Sequence, residues 1–257
     1  MALALVTGPT SGIGRAFANE LASRGWDLVL VSRDTARLEE VAEELRTRFG
    51  RQAEVLAADL SVRDDVTRVA ERLEDESAPV EMLVNNAGFG IHASLLDRDV
   101  SLQVRAMDVM CLAVLILSGA AGRAMSARGH GSIINIGSSS GIITTGNYSA
   151  VKAWVNTYTE GLANELRHSG VKVTAVLPGW VHTEFHERAG INASKLPDVV
   201  WVDADELVRE ALDDNEKGKV LSVPSTRWNV AVWVGRHLPR SGIRWLSRKL
   251  SNSRKNE

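Results

Sequence analysis

Cysteine is almost missing. Cys111 stands alone in 257 residues, so no internal disulfide can form, and its place inside an apolar run marks it as a small buried hydrophobe. A surplus of charge is missing too. Thirty Lys and Arg against 32 Asp and Glu give a net charge of −2, which offers no electrostatic footprint for nucleic acid. No basic n-region or cleavage site precedes the first motif, because residues 2–6 run straight into a glycine cluster; no leader is expected. No uninterrupted apolar run approaches the ~20 residues of a membrane span. Linkers and repeats are lacking as well, which leaves one domain over residues 1–224 and an extension, 225–257, of different composition. With 44% apolar residues the core is substantial, and a cytoplasmic protein is expected.

What is present is alternation. Short apolar runs at 2–6, 27–31, 53–57, 81–84, 131–137, 171–177 and 219–223 read as buried strands. Between them lie segments with helical spacing at 15–24, 35–49, 62–76, 95–128 and 148–168. Ala16, Phe17 and Leu21 share one helical side, as do Leu38, Val41, Leu45 and Phe49. Regular strand–helix alternation implies an α/β architecture with a doubly wound parallel sheet. From Val109 to Leu117 the apolar density exceeds a single stripe, which implies a helix covered by the sheet on one side and by a second subunit on the other.

The first strand is followed by Thr7-Gly8-Pro9-Thr10-Ser11-Gly12-Ile13-Gly14 and then a helix. This layout sets a helix N-terminus against a pyrophosphate. Gly8 permits the turn, Gly12 lets the backbone approach phosphates, and Gly14 lets helix and strand pack closely. The second strand ends at Ser32-Arg33, without the carboxylate that would hold a free ribose 2′-hydroxyl. A hydroxyl and a guanidinium suit a 2′-phosphate, so NADP(H) is expected over NAD(H). Asp34 reads as the cap of the helix from Thr35. After the third strand, Asp59 can accept from an adenine amino group and Leu60 can cover the ring, while Ser61 reads as the cap of the next helix. Asn85-Asn86-Ala87-Gly88 closes the fourth strand as a loop that meets a ligand.

Tyr148 and Lys152 lie four apart on a helix and share a face. A free phenol, with a pKa near ~10, is a poor acid or base at neutral pH; an ammonium beside it is expected to draw that pKa down. Ser138 follows the fifth strand, at the end of the sheet where such folds bind ligands. Together they form a donor set for a carbonyl that becomes an alkoxide.

These motifs, in this order, resemble the short-chain dehydrogenases/reductases in their single-domain, Rossmann-like form, over roughly residues 3–223. The resemblance rests on the Thr7–Gly14 turn, Asn85-Asn86-Ala87-Gly88, Ser138 with Tyr148-x-x-x-Lys152, and Pro178-Gly179. It implies that Tyr148 is the acid in reduction and the base in oxidation. Lys152 would lower the tyrosine pKa and bind the nicotinamide ribose, and Ser138 would polarise the substrate carbonyl. Asn86, with Ala87 and Gly88, would border the nicotinamide ribose, and Pro178, Gly179, Val181 and Thr183 the nicotinamide side. It also implies a substrate lid over 180–201, a homodimer or homotetramer built on helices 95–128 and 148–168, and a small carbonyl or alcohol substrate. The apolar lid suggests a 3-oxoacyl chain, a steroid or an aromatic ketone. One position departs: Met110 follows Asp108-Val109 where the family usually has asparagine. That asparagine supports a water linking the lysine to solvent, largely through backbone at a local bend. A catalytically weak NADP-binding sensor on the same fold is the alternative; a nucleotide-sugar epimerase would need a longer C-terminal domain.

Other constellations carry less. His182 and His186 share helical spacing but lack a third ligand, so no metal is expected. Asp213-Asp214-Asn215-Glu216 reads as a solvated helix end. The extension interleaves Arg227, Arg236, Arg240, Arg244, Arg248 and Lys249 with Trp228, Trp233 and Trp245, a pattern that suits a membrane surface or a subunit contact.

Overall fold

Leucine, valine and isoleucine fill the strands because each strand is covered on both faces. In β1 (Leu3–Thr7), Ala4 and Val6 face one apolar layer and Leu5 the other. The computed structural model describes residues 2–91, 93–182 and 200–255. Its main sheet has seven parallel strands in the order β3-β2-β1-β4-β5-β6-β9. They are β1, β2 (Asp27–Ser32), β3 (Ala53–Ala57), β4 (Met82–Asn85), β5 (Gly131–Ile136), β6 (Val171–Val176) and β9 (Leu221–Ser222). A small parallel pair, β7 (Trp180–Val181) with β8 (Trp201–Val202), stands apart. The strand order reverses between β1 and β4, and the crevice at that switch point is where such a sheet takes a ligand.

Helices cover both faces. α1 (Gly12–Ser23), α2 (Thr35–Phe49) and α6 (Ala204–Glu216) lie in one layer. α3 (Arg63–Glu74), α4 (Ser101–Arg128) and α5 (Asn147–Glu165) lie in the other. The extension forms α7 (Thr226–His237) and α8 (Arg240–Lys255).

Several expectations are corrected. The helix expected over 95–128 begins only at Ser101, where the Asp99 carboxylate accepts from the Ser101 N–H. Ser61 does not cap α3: its N–H and hydroxyl both go back to Asp59, and Val62 is the capping position. Asp34 does cap α2, accepting from the Arg37 N–H. Within the dense run, Val109, Met110, Cys111, Ala113, Val114 and Leu117 are buried by this chain itself, while Leu115 stays 44% exposed. A π-helical segment, Asp108–Leu112, rephases α4 there, so one helix turns an unusually wide apolar face inward. α4 has the length and hydropathy of a membrane span (mean 1.8), but half of that stretch is buried inside the protein. The acidic cluster at the end of α6 is only partly solvated. Asp213 and Glu216 pair with Arg24, whereas Asp214 is buried on Lys219 and Asn215 on Thr174.

Candidate active site

The glycine turn after β1 is held by the end of β4. Asn86 Nδ2 donates to Thr7 O and Gly8 O at 3.0 Å each, and Thr7 Oγ1 accepts from the N–H groups of Asn86 and Ala87. Gly8 and Gly12 have φ of +67° and +55°, a region L side chains avoid. A Cβ on Gly14 would stand 2.1 Å from Gly8 O, so only glycine lets α1 start this close to the turn. Thr10, Ser11 and Ile13 complete it. Asn86 therefore anchors the turn, in addition to any contact with a ligand.

At the end of β2, Thr10, Ser32, Arg33, Asp34 and Arg37 line a cavity of about 330 Å³. Arg33 is largely exposed and stands 3.7 Å from Asp59. Arg37, one helical turn further on, was not singled out from sequence; the spacing from Arg33 to Arg37 on a helix start was the available signal. Asp59 is more engaged than a lone adenine acceptor. Burial pushes its carboxyl up, but the Ser61 hydroxyl and amide, with Arg105 and Arg33, outweigh that and hold it below the usual carboxylate range. Arg105, 3.0 Å from Asp59, comes from α4. Leu60 is buried beside Asp59.

β5 and α5 bring the catalytic candidates together. Ser138 Oγ accepts from the Ser140 N–H, which leaves its own proton to donate, and the hydroxyl lies near enough to the Tyr148 phenol to draw its pKa down. Ser139 turns away to Pro178 O. Asn156, two turns along α5 from Tyr148, brackets Ser138: its Nδ2 donates to Ser138 O at 3.0 Å, and its Oδ1 accepts from Ser138 N–H at 3.3 Å. Sequence reading missed Asn156, because nothing local announces a contact to a backbone unit eighteen residues upstream.

Lys152 Nζ donates to Ile136 O at 2.7 Å and stands 5.9 Å from the Tyr148 ring centre. Burial lowers its pKa to about 8, with Cys111 a smaller opposing influence. Burial pushes the Tyr148 phenol up to about 12, against the opposing influence of Ser138, although the residue as a whole is half-buried. The expected lowering of Tyr148 by Lys152 is thus not what the arrangement gives, because desolvation is the largest influence on the phenol. The bend expected near Met110 is present as the π-helical segment, with the Met110 sulfur close against Gly88.

In the Pro178-Gly179 loop after β6, the Trp228 ring from α7 covers Gly179 so closely that a Cβ there would lie 2.0 Å from it. Trp228 Nε1 donates to Val200 O at 2.9 Å. Val181 is buried in β7. Trp180 meets Trp201 edge-on at 5.8 Å, and His182 stacks on Trp201 at 4.4 Å. Thr183, His186 and most of the expected lid lie outside the described residues.

A parallel sheet with a glycine turn at its switch point and a hydroxyl–phenol–ammonium set beside it defines a nucleotide-binding oxidoreductase. The family model for short chain dehydrogenase matches residues 2–193, and the chain belongs to that family. A very-long-chain 3-oxoacyl-CoA reductase of Anas platyrhynchos is 36% identical over 71% of this chain and 61% of its own length. The structure of a short-chain dehydrogenase from Sphingobium yanoikuyae in complex with NADPH superposes with a TM-score of 0.83 and 35% identity, covering 92% of this chain and 94% of that one. The bulky-bulky ketone specific alcohol dehydrogenase from Comamonas testosteroni gives 0.79 and 31%, covering 92% of both chains.

Proposed function

We propose that this oxidoreductase interconverts a ketone and a secondary alcohol of an apolar substrate with NADP(H). The observation that carries the reading is Ser138 near enough to the Tyr148 phenol to lower its pKa, beside a buried Lys152 held on Ile136 O at the end of β5. The residues fit the cofactor. A Cβ at Gly8 or Gly14 would crowd the turn, Gly12 holds a positive φ there, and two guanidiniums face the cavity at the end of β2, suited to a 2′-phosphate. Thr10, Ser11, Gly12 and Ile13 would hold the pyrophosphate, Asp59 and Leu60 the adenine, and Asn86 to Gly88, Lys152 and Pro178 to Val181 the nicotinamide half. NADPH bound there supplies the hydride.

The chain's own residues handle the proton. Ser138 donates a hydrogen bond to the substrate oxygen, and Tyr148 gives that oxygen its proton as it gains charge. Below about pH 8 Lys152 and Tyr148 are both protonated, the form suited to reduction. Above it Lys152 is neutral and can take the Tyr148 proton as the phenol accepts one from the alcohol in oxidation. Tyr148→Phe removes the proton donor, so NADPH oxidation with a bulky aromatic ketone is expected to fall at least ~1,000-fold while NADPH binding by calorimetry persists. Turnover near the wild-type rate would overturn the assignment. Tight NADPH binding by the wild type with no turnover across a ketone panel would favour the sensor reading.

A further inference from the structure

The extension differs from the rest of the surface in both charge and apolarity. Residues 225–255 contain no Asp or Glu, but carry Arg227, Arg236, Arg240, Arg244, Arg248, Lys249, Arg254 and Lys255, while the chain before them is net acidic. On α7, Val230, Trp233 and Val234 recur at helical spacing and are 58%, 61% and 42% exposed, and Leu238 follows at 40%. On α8, Trp245 is 59% exposed on a helix surface that also carries exposed Arg240, Arg244, Arg248 and Lys249. Large apolar groups this exposed, ringed by charge of one sign, are unusual on a soluble surface.

The opposite faces of both helices are anchored. Val232 packs with Ala175, Leu177 and Val223. Ser247 Oγ accepts from the Thr144 N–H at 2.9 Å, and Arg236 makes a two-pronged contact to Glu160 at 3.1 Å. Ser225 enters α7 at φ 82°, the one positive φ outside glycine among the described residues, and its N–H is held by Glu210. These anchors lie beside Ser138 and the Pro178-Gly179 loop: Ile142 approaches Gly235, and Trp228 covers Gly179. The outward face is therefore presented rigidly, at the rim of the candidate site.

We propose that α7 and α8 form a docking surface for an anionic lipid bilayer. Tryptophans seat at the headgroup boundary, and arginines are drawn to anionic headgroups. Charge decides against a second copy as occupant. A two-fold contact would set two helices that carry no carboxylate of their own against each other, cation to cation. In the ketone-reductase reading, on which this consequence alone rests, the docked protein would draw an apolar carbonyl substrate from the membrane.

Flotation with vesicles of mixed phosphatidylglycerol and phosphatidylcholine tests the surface without any turnover assay. The full chain is expected to float with these vesicles at low salt, and not with phosphatidylcholine alone. Binding should weaken as salt rises. The double variant Trp233→Ser/Trp245→Ser and the triple variant Arg240→Glu/Arg244→Glu/Arg248→Glu should each lose about tenfold in partitioning. Their NADPH affinity and melting temperature should stay near wild type, which shows that they fold. Wild-type protein that does not float with the anionic vesicles would overturn the proposal. So would folded variants that bind as well as wild type, or a tryptophan variant that dissociates an oligomer in sedimentation velocity, since the surface would then belong to a second copy.

Discussion

Lys152 is 6% exposed, and its pKa falls from 10.5 to about 8 through burial. A base whose folded pKa is depressed is penalised in its charged form. The penalty is full below about pH 8 and disappears as pH climbs toward the unfolded value. At neutral pH the folded protein therefore holds a costly ammonium, of order ~3 kcal/mol. Lys152→Met is expected to stabilise the cofactor-free protein at pH 7. Urea melts should show that gain shrinking between pH 8 and 10.5; a pH-independent difference would contradict it. A second residue-scale prediction concerns Arg33 and Arg37, which line one cavity. Replacing both by alanine should weaken NADPH binding about 10- to 100-fold and leave NADH nearly unchanged in calorimetry. Equal losses for both cofactors would remove the 2′-phosphate role.

At the scale of elements, the glycine turn, β4 and α1 form one unit. The Asn86 side chain ties two carbonyls of the turn, and the turn's Gly8 N–H reaches Val31 O in β2 at 2.8 Å. Gly14 sits where a methyl would strike Gly8 O and Asn86 Nδ2, at 2.1 and 2.3 Å. Gly14→Ala should therefore push α1 off the turn, costing about 1–3 kcal/mol of stability and more than tenfold in NADPH affinity by calorimetry. An unchanged affinity would mean that the turn does not hold the cofactor. A second tie runs deeper. Asn85 Nδ2 reaches Ser118 and Asn135, at 3.0 and 2.9 Å, and Asn135 donates to Thr159 at 3.0 Å. This buried polar chain fastens α4 and α5 to adjacent strands, and each member is satisfied only while the others are in place.

At the scale of the molecule, two of the apolar helix surfaces among the described residues differ in charge. One is the basic face of α7 and α8. The other lies on α4, where Val104 and Met107 are each 52% exposed and Leu115 44%. Beside it, Trp154 and Tyr158 stack at 4.7 Å on α5, and Tyr158 donates to Leu115 O. Helical spacing and neutral character suit a two-fold contact between copies, the homodimer or homotetramer expected from these helices. Met107→Asp would place a carboxylate in that contact and should convert the oligomer to a monomer in sedimentation velocity, with melting temperature near that of a folded monomer. A wild-type chain that is already monomeric would remove the idea.

By itself the sequence determined what depends on local periodicity and on backbone geometry. Alternating apolar runs specified strands and helices, Gly8, Gly12 and Gly14 specified the turn, and the four-residue spacing specified that Tyr148 and Lys152 share a face. These are properties of neighbours along the chain. Only the tertiary structure decided which distant groups complete them. Asn156 reaches back to Ser138, Arg105 to Asp59, and Trp228 to Gly179, all across separations that leave no periodic trace. The same holds for the pKa values: spacing placed an ammonium near a phenol, but burial, which belongs to the folded whole, decided that the lysine pKa falls and the tyrosine pKa rises.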